Sequence, residues 1–169
     1  YGSRTLAIIL SQSGTTSDTL KALECLLNAC TPAQRKMLVT IGVHNNPMGA
    51  LAHRVDVSLY TRTGEERATA STMAFFGQCA TLLQLLGALQ NKEVETQEIL
   101  TRLVPLLEEV RTQAEMIRVM ASAINAAPAF LLLGLGTDLP IAREGALKLK
   151  ERASVMTEAM APGNPKHGP

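Results

Sequence analysis

Two groups of residues have the types and spacing to do chemistry. Ser11-Gln12-Ser13-Gly14-Thr15-Thr16 sets four hydroxyls between the apolar run Leu6 to Leu10 and a helical pattern. A helix start offers free backbone N–H groups and the positive end of the helix dipole, so hydroxyls and amides gathered there suit an anion. With no lysine in the turn, a monoester phosphate fits. The missing Gly-Lys-Ser/Thr pattern argues against a nucleoside triphosphate. The same residues equally suit an ordinary capped turn, because Ser and Thr are favoured N-caps.

The second group is Glu144, Lys148 and Glu151, spaced by four and three residues, which puts all three on one face of a helix opened by Pro140. One face means one site or one salt-bridge ladder, and on spacing alone the ladder is the commoner outcome. Lys150 projects elsewhere and is expected at the surface. Gly134-Leu135-Gly136 resembles the start of a dinucleotide fingerprint, but Leu139 stands where a third small residue belongs, so a sharp turn is the better reading. His167, between Lys166 and Gly168, is either a loop residue or a proton carrier suited to neutral pH. His44 and His53 are assigned to loop and surface.

These groups need elements to hold them. Leu6 to Leu10 predicts a buried strand, followed by a helix carrying Leu20, Leu23, Leu27 and Cys30 that starts at a Thr16 or Ser17 cap and stops at Thr31-Pro32. Met37 to Val43 predicts a second buried strand. Asn45-Asn46-Pro47 turns the chain, residues 48–53 suit a short helix, and Val55 to Tyr60 suits a third strand. This βαβαβ alternation predicts a parallel sheet with helices on both faces. A polar loop from Thr61 to Arg67 leads to a helix over 71–90, whose stripe of Phe75, Cys79, Leu82, Leu86 and Leu89 is expected to pack on the sheet. Residues 93–126 read as a helical connector, with Leu106, Val110, Ile117, Met120 and Ile124 as its apolar stripe and Pro105 as a break or restart. From Ala129 a strand and a helix over about 140–154 begin a second α/β unit. The implied domains are 1–90, 91–127 and 128–169.

Composition narrows the partners. Of 169 residues 46% are hydrophobic and 18% charged, with 16 Lys and Arg against 15 Asp and Glu, so no charge excess draws the chain to nucleic acid or an acidic membrane. Apolar runs such as Phe130 to Leu133 fall far short of the ~20 residues that span a bilayer. Cys25, Cys30 and Cys79 show neither disulfide-framework nor zinc spacing, which suggests reduced thiols in the cytoplasm. No metal and no cofactor is expected.

The wording of three segments carries further than their patterns. SQSGTTSDTL at 11–20, TRTGEERATASTMAF at 61–75 and LGLGTDLPIAREGALKLKERASVMTEAMAPGNPKHGP at 133–169 resemble, in order and approximate spacing, three signature blocks of the SIS (sugar isomerase) domain family. The likeness implies a three-layer α/β/α fold with a parallel sheet and two SIS subdomains, each incomplete here. The sequence opens on Tyr1 rather than Met and stops directly after the last block, so a longer parent protein is expected, and this stretch alone is expected to be inactive.

By that resemblance Ser11, Gln12, Ser13, Thr16 and Ser71 hold a sugar phosphate. Glu144, Lys148 and Glu151 supply proton-transfer groups, and His167, contributed by the neighbouring subunit of a homodimer, opens the sugar ring. The implied reaction is aldose–ketose isomerisation of a hexose 6-phosphate through an enediol, of the fructose 6-phosphate to glucosamine 6-phosphate type. Glu151 would carry the proton between C1 and C2, with Lys148 steadying the oxyanion. The parent could be aminotransferase-like, with a glutaminase domain, or deglycase-like. The other class is a non-catalytic phosphosugar sensor of a transcriptional regulator, which has no need of Glu144, Lys148, Glu151 and His167 together. Two positions depart from the family pattern. Met73 stands where Lys is usual after the Ala-Ser-Thr triplet, and Gly163-Asn164-Pro165 replaces the usual Glu before the last block.

Overall fold

A computed structural model of the chain describes residues 4–66 and 71–163. Three strands, β1 (Thr5–Leu10), β2 (Leu38–His44) and β3 (Val57–Tyr60), pair in parallel in that order. Leu10 faces Val43 and His44 faces Tyr60, so all three strands end at one edge of the sheet. The residues that follow them, from Ser11, Asn45 and Thr61 onward, are therefore gathered where open α/β sheets bind ligands.

The central strand carries the core. Leu38, Ile41 and Val43 of β2 are buried with Leu23, Leu51 and Ala74, and full burial of such an aliphatic side chain is worth about 1.5–3 kcal/mol. Helix α1 (Ser17–Asn28) packs against β1, while α2 (Pro32–Met37) and α3 (Met73–Leu89) pack against β2. At the amino ends of the strands Asp56 clamps β3 to β2. Its carboxylate accepts from Thr40 N and Thr40 Oγ1, both at 2.8 Å, and from Arg35 Nη2 at 2.7 Å. The Arg35 hydrogen bond first, and then the Thr40 N–H, pull the Asp56 carboxyl down to about 2 against the opposing effect of burial.

Several expectations from the sequence are corrected here. The run Leu6 to Leu10 is not a fully buried strand: β1 lies at the sheet edge, its side chains alternate, and Leu6, Ile8 and Leu10 remain 40–43% exposed. Thr31-Pro32 ends α1 but also begins α2, because the Thr31 hydroxyl and the Gln34 side chain cap each other's backbone N–H groups around a proline in the first turn. Helix α3 packs on β2 as expected, but its stripe faces the core only in part, with Phe75 and Leu82 half-buried. Cys79, Leu86 and Leu89 are exposed, and the buried positions are Ala74 and Gly87. Close approach explains this, since a Cβ on Gly77 would lie 2.1 Å from Thr63 Cγ2, so α3 is seated against the 61–63 loop by its small residues. His44, assigned to a loop, closes β2 with no exposed surface, whereas His53 is exposed.

The chain divides into two compact units within α4 (Glu93–Thr112), between Leu103 and Val104. Pro105 does not break α4; the interruption comes at Gln113, before α5 (Ala114–Ile124). Proline removes one N–H, that which would serve the carbonyl of Thr101, and the rest of the ladder carries the helix past it. The stripe Leu106, Val110, Ile117, Met120 and Ile124 stays 49–59% exposed. In the second unit β4 (Ala129–Leu133) pairs in parallel with β5 (Met156–Met160), and α6 (Asp138–Ala153) packs on both. Strand β5 was not foreseen. Helix α6 begins two residues before Pro140, which sits harmlessly in the first turn.

Candidate functional site

At the edge where β1, β2 and β3 end lies an open cleft of about 470 Å³, lined among others by Gln12, Ser13, Asn45, Arg62, Gly64 and Glu66. Each wall comes from one strand-following loop. The Ser11–Thr16 turn is folded on itself: Gly14 N donates to Ser11 Oγ at 3.0 Å, and Thr15 N and Thr15 Oγ1 both donate to Ser13 Oγ, at 3.1 and 2.8 Å. Ser11 is buried, 3.2 Å from the Thr16 hydroxyl. Because Ser13 Oγ accepts twice, its own hydrogen is left to donate to a ligand. Thr16 is the N-cap of α1 but makes no side-chain capping bond, so the anticipated cap is missing and the first amides of α1 keep their capacity to bind an anion.

Gly14 has φ +69°, and a Cβ there would press on Gly49 Cα and His44 Nδ1, each 3.3 Å away. The turn thus rests on buried His44. That imidazole donates from Nδ1 to the Asn46 carbonyl at 2.9 Å, which leaves Nε2 to accept from the Ser58 hydroxyl at 3.2 Å. Asn45 joins the three loops. Its N–H donates to Gln12 O at 3.0 Å, its Nδ2 donates to Gly64 O, and its Oδ1 accepts from Thr61 Oγ1 and Thr63 N at 3.1 and 3.0 Å.

Ser71 lies in the same unit, but its hydroxyl donates to Glu66 Oε2. The same carboxylate accepts the N–H groups of Thr72, Met73 and Ala74 at the start of α3. Burial alone would raise the Glu66 carboxyl; the Ser71 hydroxyl and these amides outweigh it and hold the group at about 2. Asn45 and Glu66 were missed from the sequence, where Asn45 read as a turn former. The signal for Glu66 was a carboxylate shortly before a helix start.

In the second unit the face of α6 brings its three groups together. Lys148 Nζ stands 3.3 Å from Glu144 Oε1 and 3.1 Å from Glu151 Oε2, with the three side chains 22–31% exposed. Burial would lower the ammonium, but hydrogen bonds to Glu151 and Glu144 and their charges outweigh it and leave Lys148 raised. Gly134 and Gly136 make the turn into α6, Gly136 at φ +57°, and Lys150 is exposed. His167 lies outside the described residues.

A profile of the SIS domain family matches residues 2–88. The chain belongs to this family. It is 37% identical, over 99% of its length, to the isomerizing glutamine–fructose-6-phosphate aminotransferase of Thermus thermophilus, and 39% identical over 98% to that of Legionella pneumophila. It spans 28% and 27% of those two enzymes, little more than a quarter. The C-terminal domain of glucosamine-fructose-6-phosphate aminotransferase from Francisella tularensis superposes with a TM-score of 0.83 at 30% identity, over 97% of this chain and 47% of that one. The tagatose-6-phosphate ketose/aldose isomerase of Escherichia coli shares the fold, with a TM-score of 0.64 at 22% identity over 97% of this chain and 44% of that one. This SIS chain is therefore an α/β protein of parallel sheets, similar to the isomerase domain of such aminotransferases. Among the described residues no helix is long and apolar enough to cross a membrane.

Proposed function

We propose that this SIS chain is the phosphosugar-isomerising part of an enzyme that converts a hexose 6-phosphate between ketose and aldose through an enediol, of the fructose 6-phosphate to glucosamine 6-phosphate type. The observation that carries this reading is the ammonium of Lys148 held between the carboxylates of Glu144 and Glu151. A protein that only senses a phosphosugar needs no such group.

The roles follow from the chemistry of each residue. The turn of Ser11, Gln12, Ser13 and Thr16 offers hydroxyls and the uncapped amides of α1 to the phosphate. Ser71, with its proton committed to Glu66, contributes an acceptor for a sugar hydroxyl. Glu151 takes the proton from one of C1 and C2 and returns it to the other. Lys148 offsets the charge that develops on the enediol oxygen, and Glu144 holds Lys148 in place. His167, supplied across a homodimer, exchanges the ring-oxygen proton, and a glutaminase domain in the complete protein supplies nitrogen.

Glu151→Gln in the complete protein tests this. Solvent deuterium is expected to stop entering at the C1/C2 position of the hexose phosphate, while binding stays within about tenfold, since shape and hydrogen bonding are kept and only the base is lost. Wash-in at the wild-type rate would remove Glu151 from the mechanism.

A further inference from the structure

The helices that follow β1 and β3, α1 and α3, start in different ways. The start of α1 carries no side-chain cap. At the start of α3, N-cap Thr72 provides no cap either, but Glu66 fills the position with the chain's own carboxylate, which accepts one hydroxyl and three consecutive backbone amides. A hydroxyl and a row of amides at a helix start is a donor set that a phosphate group would take. Here it is already satisfied by a fixed negative charge.

Glu66 also lines the cleft alongside Gln12 and Ser13. Among the described residues of the lining, Arg62 is basic and Glu65 and Glu66 are acidic. A single phosphate at the Ser11–Thr16 turn meets uncapped amides and hydroxyls. A second phosphate on the same ligand would meet Glu66, whose donors are taken and whose charge repels it.

We propose that Glu66 is a specificity-determining residue that closes the cleft to a second anion, so that the site accepts sugar monophosphates and rejects sugar bisphosphates. The inference rests on the reading of the 11–16 turn as the phosphate site. It assigns Glu66 a role beyond starting α3, since a helix cap alone would leave the choice between the two ligand classes unaffected.

The test is calorimetry on the complete protein with glucose 6-phosphate and glucose 1,6-bisphosphate, first in wild type and then in Glu66→Gln. Wild type is expected to bind the monophosphate at least about tenfold more tightly, like-charge contact being the cost to the second phosphate. In Glu66→Gln the amide keeps an oxygen for the α3 amides but loses the charge. The ratio of the two constants is expected to move at least about tenfold toward the bisphosphate. Equal affinities in wild type, a comparison that requires no variant to fold, overturn the inference alone, as does an unchanged ratio in Glu66→Gln. Binding of neither ligand to wild type overturns the phosphate reading of the turn, and the inference with it.

Discussion

The backbone N–H of Asn45 donates to the carbonyl of Gln12 at 3.0 Å, tying the loop after β2 to the turn after β1. From the same residue the side chain reaches Gly64, Thr61 and Thr63 in the loop after β3. Asn45→Ala deletes three side-chain hydrogen bonds while keeping the backbone one. At about 0.5–1.5 kcal/mol each, it is expected to cost roughly 1.5–4.5 kcal/mol in a urea melt. Asn45→Asp keeps the two acceptor bonds but turns a carboxylate toward the Gly64 carbonyl, and is expected to weaken hexose 6-phosphate binding more than it weakens the fold. Wild-type binding in Asn45→Asp would show that the wall it holds does not touch the ligand.

Asp56 and Glu66 set an acid limit. Both carboxyls sit at about 2 in the folded chain, against ordinary values of 3.8 and 4.5. As pH falls the unfolded chain therefore takes up these protons first, so the stabilisation is complete above about 4.5 and is lost progressively between about 4.5 and 2. Solvent reaches 37% of the Asp56 side chain, which screens its pairing with Arg35 and moderates its share. Urea midpoints measured from pH 7 down to 2.5 should fall across that window, and the fall should be shallower in Asp56→Asn. A midpoint that is flat to pH 2.5 would refute the assignment.

Lys148→Met separates charge from packing on α6. The change keeps an unbranched apolar stem but leaves Glu144 and Glu151 facing each other without the ammonium, which stands within 3.3 Å of both. Isomerisation is expected to slow by about 10²–10³-fold, the usual scale for losing a group that offsets developing charge. Hexose 6-phosphate affinity should change far less. If kcat holds at the wild-type value, the three residues are a surface ladder and nothing more.

The grouping of Glu144, Lys148 and Glu151 was legible in the sequence because its signal is local. Glu144, Lys148 and Glu151 lie on one helix, and a period of 3.6 residues is enough to bring them together. The 11–16 turn was legible for the same reason. What escaped was non-local. Asn45 reads as a turn former until β2 and β3 are placed in register, and Glu66 acts only once α3 begins beside it. His44 looked like a loop residue because the polar turn after it hides its place at the end of a buried strand. The β1 error has the opposite cause: an apolar run reports hydrophobicity, not position in the sheet, and Leu6, Ile8 and Leu10 lie on an edge strand.

The 11–16 turn gives the sharpest prediction, because the structure separates hydroxyls that hold the turn from one that can hold a ligand. Ser11 is buried and its oxygen accepts from Gly14 N, so Ser11→Ala orphans a buried N–H and is expected to cost about 1–3 kcal/mol of stability. Any loss of binding there is mixed with a loss of fold. Ser13 lines the cleft, and its oxygen accepts from Thr15 twice. Ser13→Ala deletes a donor to the phosphate, and a hydrogen bond to a charged group is worth about 1.5–3 kcal/mol, so affinity for fructose or glucosamine 6-phosphate should fall about tenfold or more. Adding Thr16→Ala removes a second hydroxyl at the helix start. Unphosphorylated fructose serves as the control, because its weaker binding should be the same in wild type and both variants. Calorimetry on the complete protein reads all of these. If Ser13→Ala with Thr16→Ala binds the 6-phosphate as tightly as wild type, the turn only starts α1, and the phosphate must be held elsewhere.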